Sequence, residues 1–167
     1  MKLSTKLLAF VGSALIIVAA CNKKTDTNNN TTPTPTTTPK DYLVAGKWQI
    51  TSIKVVSPLG TSDLCDTMPA CRKDNTAVFA SSGKVISDEG ATKCSTSSPQ
   101  VDSSGTWSIT SDYSKLTANV SWVPSSNKTF TVVEITASTL KIYQTIDTAV
   151  GGFPVTIRDT VYAKNIN

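Results

Sequence analysis

The chain has 167 residues, 39% of them hydrophobic, 17% charged and 7% aromatic, with a formal net charge of +4 and no histidine. That length suits one globular domain rather than two. The missing imidazole excludes His-based general acid–base catalysis, Ser-His-Asp and Cys-His triads, and every zinc site that needs a His ligand.

The amino terminus reads as a targeting segment. Lys2 and Lys6 form a basic n-region, and Leu7 to Ala20 is an apolar run of 14 residues broken only by Gly12 and Ser13. A bilayer-spanning helix needs about 20 apolar residues, so residues 1–20 fit a signal peptide instead. The run closes in Val18-Ala19-Ala20-Cys21, small residues followed at once by a cysteine. This stretch resembles the lipobox of bacterial lipoproteins. The resemblance implies cleavage before Cys21, a diacylglycerol on its sulfur, and an amino terminus acylated by a chain such as palmitate. Each buried CH₂ of such chains contributes about 0.8 kcal/mol, so two or three of them make a stable membrane anchor.

Residues 22–40, NKKTDTNNNTTPTPTTTPK, contain no hydrophobic residue. Together with Cys21 they are predicted to form a disordered, partly polyproline-II tether over 21–40. It spans about 60 Å fully extended and about 25 Å as a coil. Residues 41–167 hold 11 basic and 11 acidic side chains, so the remaining domain is neutral and lacks the basic footprint of a nucleic-acid binder.

From Tyr42 onward, β-branched and aromatic residues recur in short runs separated by turn residues, with no long apolar pattern at helical period. Strands are predicted at Gly46–Val56, Asn75–Ser81, Lys84–Asp88, Gly105–Thr110, Lys115–Trp122, Lys128–Thr136, Thr139–Thr145 and Val155–Lys164. Ser81-Ser82-Gly83, Thr110 to Ser114, and Pro124 to Asn127 supply the turn chemistry between them. Strands this close in sequence favour an antiparallel meander, and closing it removes its edges. The expected fold is therefore all-β, an antiparallel up-and-down barrel of about eight strands. Alternation puts Phe130, Val132 and Glu134 on one face and Thr129, Thr131, Val133 and Ile135 on the other. It likewise sets Leu140, Ile142 and Gln144 against Lys141, Tyr143 and Thr145, so the interior is either filled by its own side chains or partly polar.

Leu43 to Ser52 resembles the first strand of the lipocalin-like domains of Bacteroidetes lipoproteins, and Gly46-Lys47-Trp48 is similar to the lipocalin G-x-W signature. The likeness continues in Cys71 to Asn75 leading to Phe79, in Gly83, in Glu89-Gly90 leading to Cys94, and in Gly105-Thr106-Trp107. It implies an eight-stranded up-and-down barrel. Lipocalins commonly pack an Arg near the end of the last strand over the G-x-W Trp. Here Arg158 lies inside the last segment and Lys164 at its end, a departure that weakens transfer of the ligand-carrier role.

With Cys21 lipidated, Cys65, Cys71 and Cys94 remain, an odd number that leaves one thiol over. The resemblance implies a Cys71–Cys94 disulfide, with Cys65–Cys94 as the alternative. The first pairing closes a loop of about 24 residues, worth roughly 3.4 kcal/mol in the chain-entropy model. Cys65 has no His to activate it and reads as a loop thiol. Asp88-Glu89, the only adjacent acidic pair, points its side chains to opposite faces if extended and cannot work as paired glycosidase carboxylates. Asp63, Asp66, Asp74 and Asn75 match no EF-hand spacing, so no metal is expected. Trp48, Trp107 and Trp122 read as core or barrel-closing residues. Asp66-Thr67-Met68, Asp147-Thr148-Ala149 and Asp159-Thr160-Val161 look like acidic-Thr-aliphatic O-glycosylation signals, with Thr148 the candidate.

The expected function is a non-enzymatic, cofactor-free binding module on the cell envelope, at the outer membrane, facing the periplasm or the cell surface. Its ligand is a small apolar or amphipathic molecule, and Trp48, Ile50, Phe79, Trp107, Phe130, Val132 and Tyr143 line or close the barrel. The alternative is a solid barrel that meets protein or glycan partners through the Ser57–Asn75 loop.

Overall fold

The computed structural model of the chain describes residues 36–119 and 128–167. The signal segment, Cys21, most of the tether, Trp122 and the Pro124 turn lie outside the described residues.

Helix α1 (Pro39–Ala45) opens the domain. The Thr38 hydroxyl accepts the Asp41 N–H, and the Asp41 carboxylate accepts the Thr38 N–H at 2.8 Å, a reciprocal capping box. Pro39 sits at the first helical position, where no N–H is needed. Pro39 and Lys40 thus belong to this helix rather than to the tether. The Thr-Pro composition that marks a linker ends here in a cap.

The strands follow as β1 (Lys47–Ser57), β2 (Gly60–Asp63), β3 (Thr76–Phe79), β4 (Lys84–Asp88), β5 (Val101–Ile109), β6 (Lys115–Asn119), β7 (Thr129–Ile135), β8 (Thr139–Val150) and β9 (Phe153–Asn165). Two one-turn helices, α2 (Leu64–Thr67) and α3 (Ala70–Lys73), interrupt the chain between β2 and β3. Sheet order is β2-β1-β3-β4-β5-β6-β7-β8-β9, every pairing is antiparallel, and β9 returns to β1. Strand β1 and strands β3 to β9 therefore close an eight-stranded barrel, and β2 lies outside the ring. Each expected strand is present. The segment expected as one long loop, Ser57–Asn75, instead carries β2, α2 and α3. Its Gly-Thr-Ser-Asp strand has a single β-branched residue and forms because Gly60, at φ +135°, turns the chain back onto β1.

Helix α1 plugs the lower end of the barrel. Leu43 is fully buried there, and its carbonyl accepts the Trp48 Nε1–H at 2.9 Å. Trp107 donates its indole N–H to the Ala80 carbonyl at 2.8 Å, and its ring meets Phe79 edge-on with centroids 5.6 Å apart. Above them Val85, Leu116, Phe130, Leu140, Ile142 and Val161 are buried. Each such side chain contributes about 1.5–3 kcal/mol by leaving water.

One feature corrects the simple alternation, and one residue leaves the expected barrel lining. A bulge between Val132 and Glu134 adds one residue to β7, so Phe130 and Val132 point inward, Glu134 turns outward, and Ile135 enters the core. Tyr143 does not line the barrel. Leu140, Ile142 and Gln144 occupy the inner face of β8, which leaves Tyr143 outside, where the Arg158 guanidinium stacks 3.8 Å from its ring centroid. Higher in the barrel the lining becomes polar, with buried Gln144 donating to Asp159 at 3.2 Å.

A Cβ added at Gly46 meets the Trp48 ring at 2.6 Å, and that ring is held by Leu43 and 2% exposed. Gly46→Ala is therefore expected to lower stability by about 1–3 kcal/mol, read as a lower urea midpoint at unchanged m.

Candidate functional site

One edge of β1 is zipped to β9, from Trp48 opposite Asn165 to Val56 opposite Arg158. The other edge is shared, with Lys47–Gln49 pairing β3 and Lys54–Ser57 pairing β2. Ile50 to Ile53 thus have no strand beside them on that edge. An unmet buried amide costs about 1–3 kcal/mol, and Asp63 meets it. Its Oδ1 accepts the Ile53 N–H at 3.0 Å and the Cys65 N–H at 2.9 Å, and its Oδ2 accepts the Ser52 hydroxyl. One carboxylate therefore replaces a strand and caps α2. Partial burial pushes the Asp63 pKa up, but the bonds from Ser52, Ile53 and Cys65 outweigh it and hold the carboxyl below its ordinary 3.8.

The residues from α2 to Asn75 arch over this gap and leave a pocket of about 220 Å³. Ile50, Cys65 and Met68 supply its apolar wall, Thr51 and Asn75 its neutral polar groups, and Arg72, Lys73 and Asp66 its charges. The arch is fastened from outside. A Cys71–Cys94 disulfide ties α3 to the segment after β4. Asp74 Oδ2 accepts the Ala91 and Thr92 amides and the Thr92 hydroxyl, all at 2.9 Å. The Asn75 amide, turned so that its nitrogen faces them, donates to the Glu89 and Cys71 carbonyls at 2.9 and 3.0 Å. Gln49 donates to the Lys73 carbonyl at 3.0 Å. Gly90, at φ +71°, is needed because a Cβ there meets the Asp74 carbonyl oxygen at 2.6 Å.

The Asp88-Glu89 pair is absorbed in the same clasp. Asp88 Oδ1 accepts the Gly90 N–H and the Gln100 amide, and Glu89 accepts the Cys94 N–H. Among the described residues no group of three or more His, Cys, Asp or Glu side chains could hold a metal ion. Cys65 is the free cysteine of the described residues. Burial, then the neighbouring Asp63 charge, pushes its thiol pKa above the ordinary 9.0. It is therefore protonated at neutral pH and unsuited to nucleophilic work.

Of the residues expected to line the barrel, Trp48, Phe79, Trp107 and Phe130 are buried and Val132 is half-buried against them. Ile50 also reaches the side pocket, and Tyr143 is outside. Arg158 is far in register from Trp48, which stands opposite Asn165, so no β9 Arg seals the G-x-W Trp. Thr148 is exposed on β8, whereas Thr160 is buried in β9. Sequence reading weighed Asp63 only as an oxygen ligand for a metal and gave Arg72 and Lys73 no part in a site. Asp63 before Leu64 was legible as a helix cap, but the helix is one turn long and carries no periodic pattern.

Asp63→Ala is expected to cost about 2–4 kcal/mol, because it leaves the Ile53 and Cys65 amides unmet. Since the folded pKa of Asp63 lies below its unfolded value, its stabilisation is present above about pH 3.8 and fades as pH falls through the folded pKa. Asp63→Asn should therefore lose less stability on acidification than the parent chain, measured by urea midpoints across the acid range. Alkylation of Cys65 by iodoacetamide should rise with pH along a curve centred above 9.0; a midpoint below that value contradicts this placement of the thiol.

A family model described as a lipocalin-like domain matches residues 44–142, from the end of α1 into β8. No curated protein and no solved structure matches the chain. The matched span contains the G-x-W strand, the pocket arch and the disulfide, while β9, which closes the barrel, follows it. The chain belongs to the lipocalin-like domain family.

Proposed function

We propose that the protein is a lipid-anchored, non-enzymatic binding module of the cell envelope, held at the outer membrane through Cys21, and that its ligand site is the pocket beside β1. The anchor reading rests on the basic n-region, the 14-residue apolar run and the Val-Ala-Ala-Cys ending. The binding reading rests on one observation. The described lower barrel is filled by its own aromatic and aliphatic side chains, whereas the gap in β1 holds a pocket of about 220 Å³ with an apolar wall and a charged rim. Ligand pockets combine such walls with a few fixed polar groups. The clasp of Asp74, Asn75 and the disulfide keeps this one pre-formed, which reduces the ordering cost of binding.

A second reading, an interaction module for protein or glycan, is favoured by Leu59 and Phe153. They stand 87% and 74% exposed at the β1–β2 and β8–β9 turns, on the same end of the barrel.

The native protein extracted from membranes should begin at Cys21 with the mass of its acyl chains, and Cys21→Ser should release it into the soluble fraction. An unmodified Cys21 overturns the anchor. The Cys21→Ser chain, titrated calorimetrically with butanoate, hexanoate and hexan-1-ol, should bind at least one of them saturably at one site. No saturable binding of any overturns the pocket in favour of the exposed rim.

A further inference from the structure

We infer that the pocket beside β1 selects a small monocarboxylate, with its anionic head against Arg72 and Lys73 and a short apolar tail against Ile50 and Met68. This rests on the reading of that pocket as the ligand site. Neither the Arg72 nor the Lys73 side chain makes a hydrogen bond or ion pair among the described residues. Two neighbouring cations at a pocket mouth repel each other unless an anion joins them.

The acidic groups nearby do not fill that role. The Asp63 carboxylate keeps its charge, but its oxygens are turned to Ser52, Ile53 and Cys65 rather than to the two cations, and Asp74 faces the Ala91–Thr92 backbone. Among the residues that line the pocket Asp66 is the one anion against Arg72 and Lys73, so the lining itself carries one net positive charge. The planar guanidinium of Arg72 presents paired N–H donors that match a carboxylate, and Lys73 adds a point charge. The neutral Cys65 thiol completes the apolar wall without repelling an anion.

Size limits the tail. A cavity of about 220 Å³ is smaller than the 300–1,000 Å³ typical for drug-sized ligands, so it admits a short aliphatic chain or a single ring and not a long-chain lipid. A bare inorganic anion meets the two cations but leaves Ile50 and Met68 uncovered. A neutral alcohol of the same length does the reverse.

Cys65 lines the pocket and reports its occupancy. In the full chain carrying Cys21→Ser, hexanoate should slow iodoacetamide alkylation of Cys65 saturably, with acetate at equal ionic strength having little effect. Hexan-1-ol should protect about tenfold less well, and Arg72→Gln should weaken hexanoate protection by about tenfold or more. Asp66→Asn should strengthen it. Arg72 and Asp66 are exposed, and an unchanged urea midpoint confirms that the variants fold. Equal protection by hexanoate and hexan-1-ol overturns the carboxylate inference and keeps the pocket as a ligand site. Protection by acetate as strong as by hexanoate overturns the tail contact. Protection by none of them overturns both the inference and the site beneath it.

Discussion

Strand β1 has to serve three partners with two edges. Barrel closure commits one edge to β9 over nearly its whole length, and the other is divided between β3 below and β2 above. Strand pairing is the cheapest way to satisfy backbone amides, so wherever it stops, something else must take the bonds. Between Ile50 and Ile53 that role falls to the Asp63 carboxylate. The turn at Gly60, the cap of α2, the arch to Asn75 and the disulfide that pins it all follow from accommodating this gap. A continuous β2–β3 strand along β1 closes the pocket and removes the need for Asp63.

The same division separates the packed core from the pocket. The lower barrel is a packed core, sealed by α1 through the Trp48–Leu43 hydrogen bond and by the Phe79–Trp107 contact. Side chains interdigitated at such density leave no room for a guest without displacing one another. The pocket beside β1 lies apart from this core and draws its walls from a segment fastened by hydrogen bonds and one covalent link. Arg158 illustrates the same separation. Instead of sealing Trp48 it stacks on Tyr143 on the outer surface, where Lys54 and Lys141 approach the Tyr162 ring.

Much of the barrel was legible because alternation and turn residues are local signals. The eight expected segments coincide with strands, and Leu140, Ile142 and Gln144 face inward together, as their spacing requires. The bulges were not legible. An extra residue near Thr51 or Val133 is imposed by the neighbouring strand, and it reverses which side chains face the core, as Glu134 and Ile135 show. Tyr143 was misplaced because an aromatic residue in a strand looks like core, whereas a cation on the next strand can cover it equally well. The Cys71–Cys94 link came from the family resemblance, not from spacing. Arg72 and Lys73 gave no signal at all, since two adjacent cations in a loop look like solvated charge until a fold sets Ile50 and Met68 opposite them.

In the proposed mode of binding, ligand enters beside β1 and not along the barrel axis. Methyl NMR of the Cys21→Ser chain during a hexanoate titration separates the two positions most directly. The expected result is saturable shifts at the Ile50 and Met68 methyls with Val85, Leu116 and Leu140 unmoved. Shifts concentrated at Val85, Leu116 and Leu140, with Ile50 and Met68 unaffected, contradict the account and return the ligand to the barrel interior.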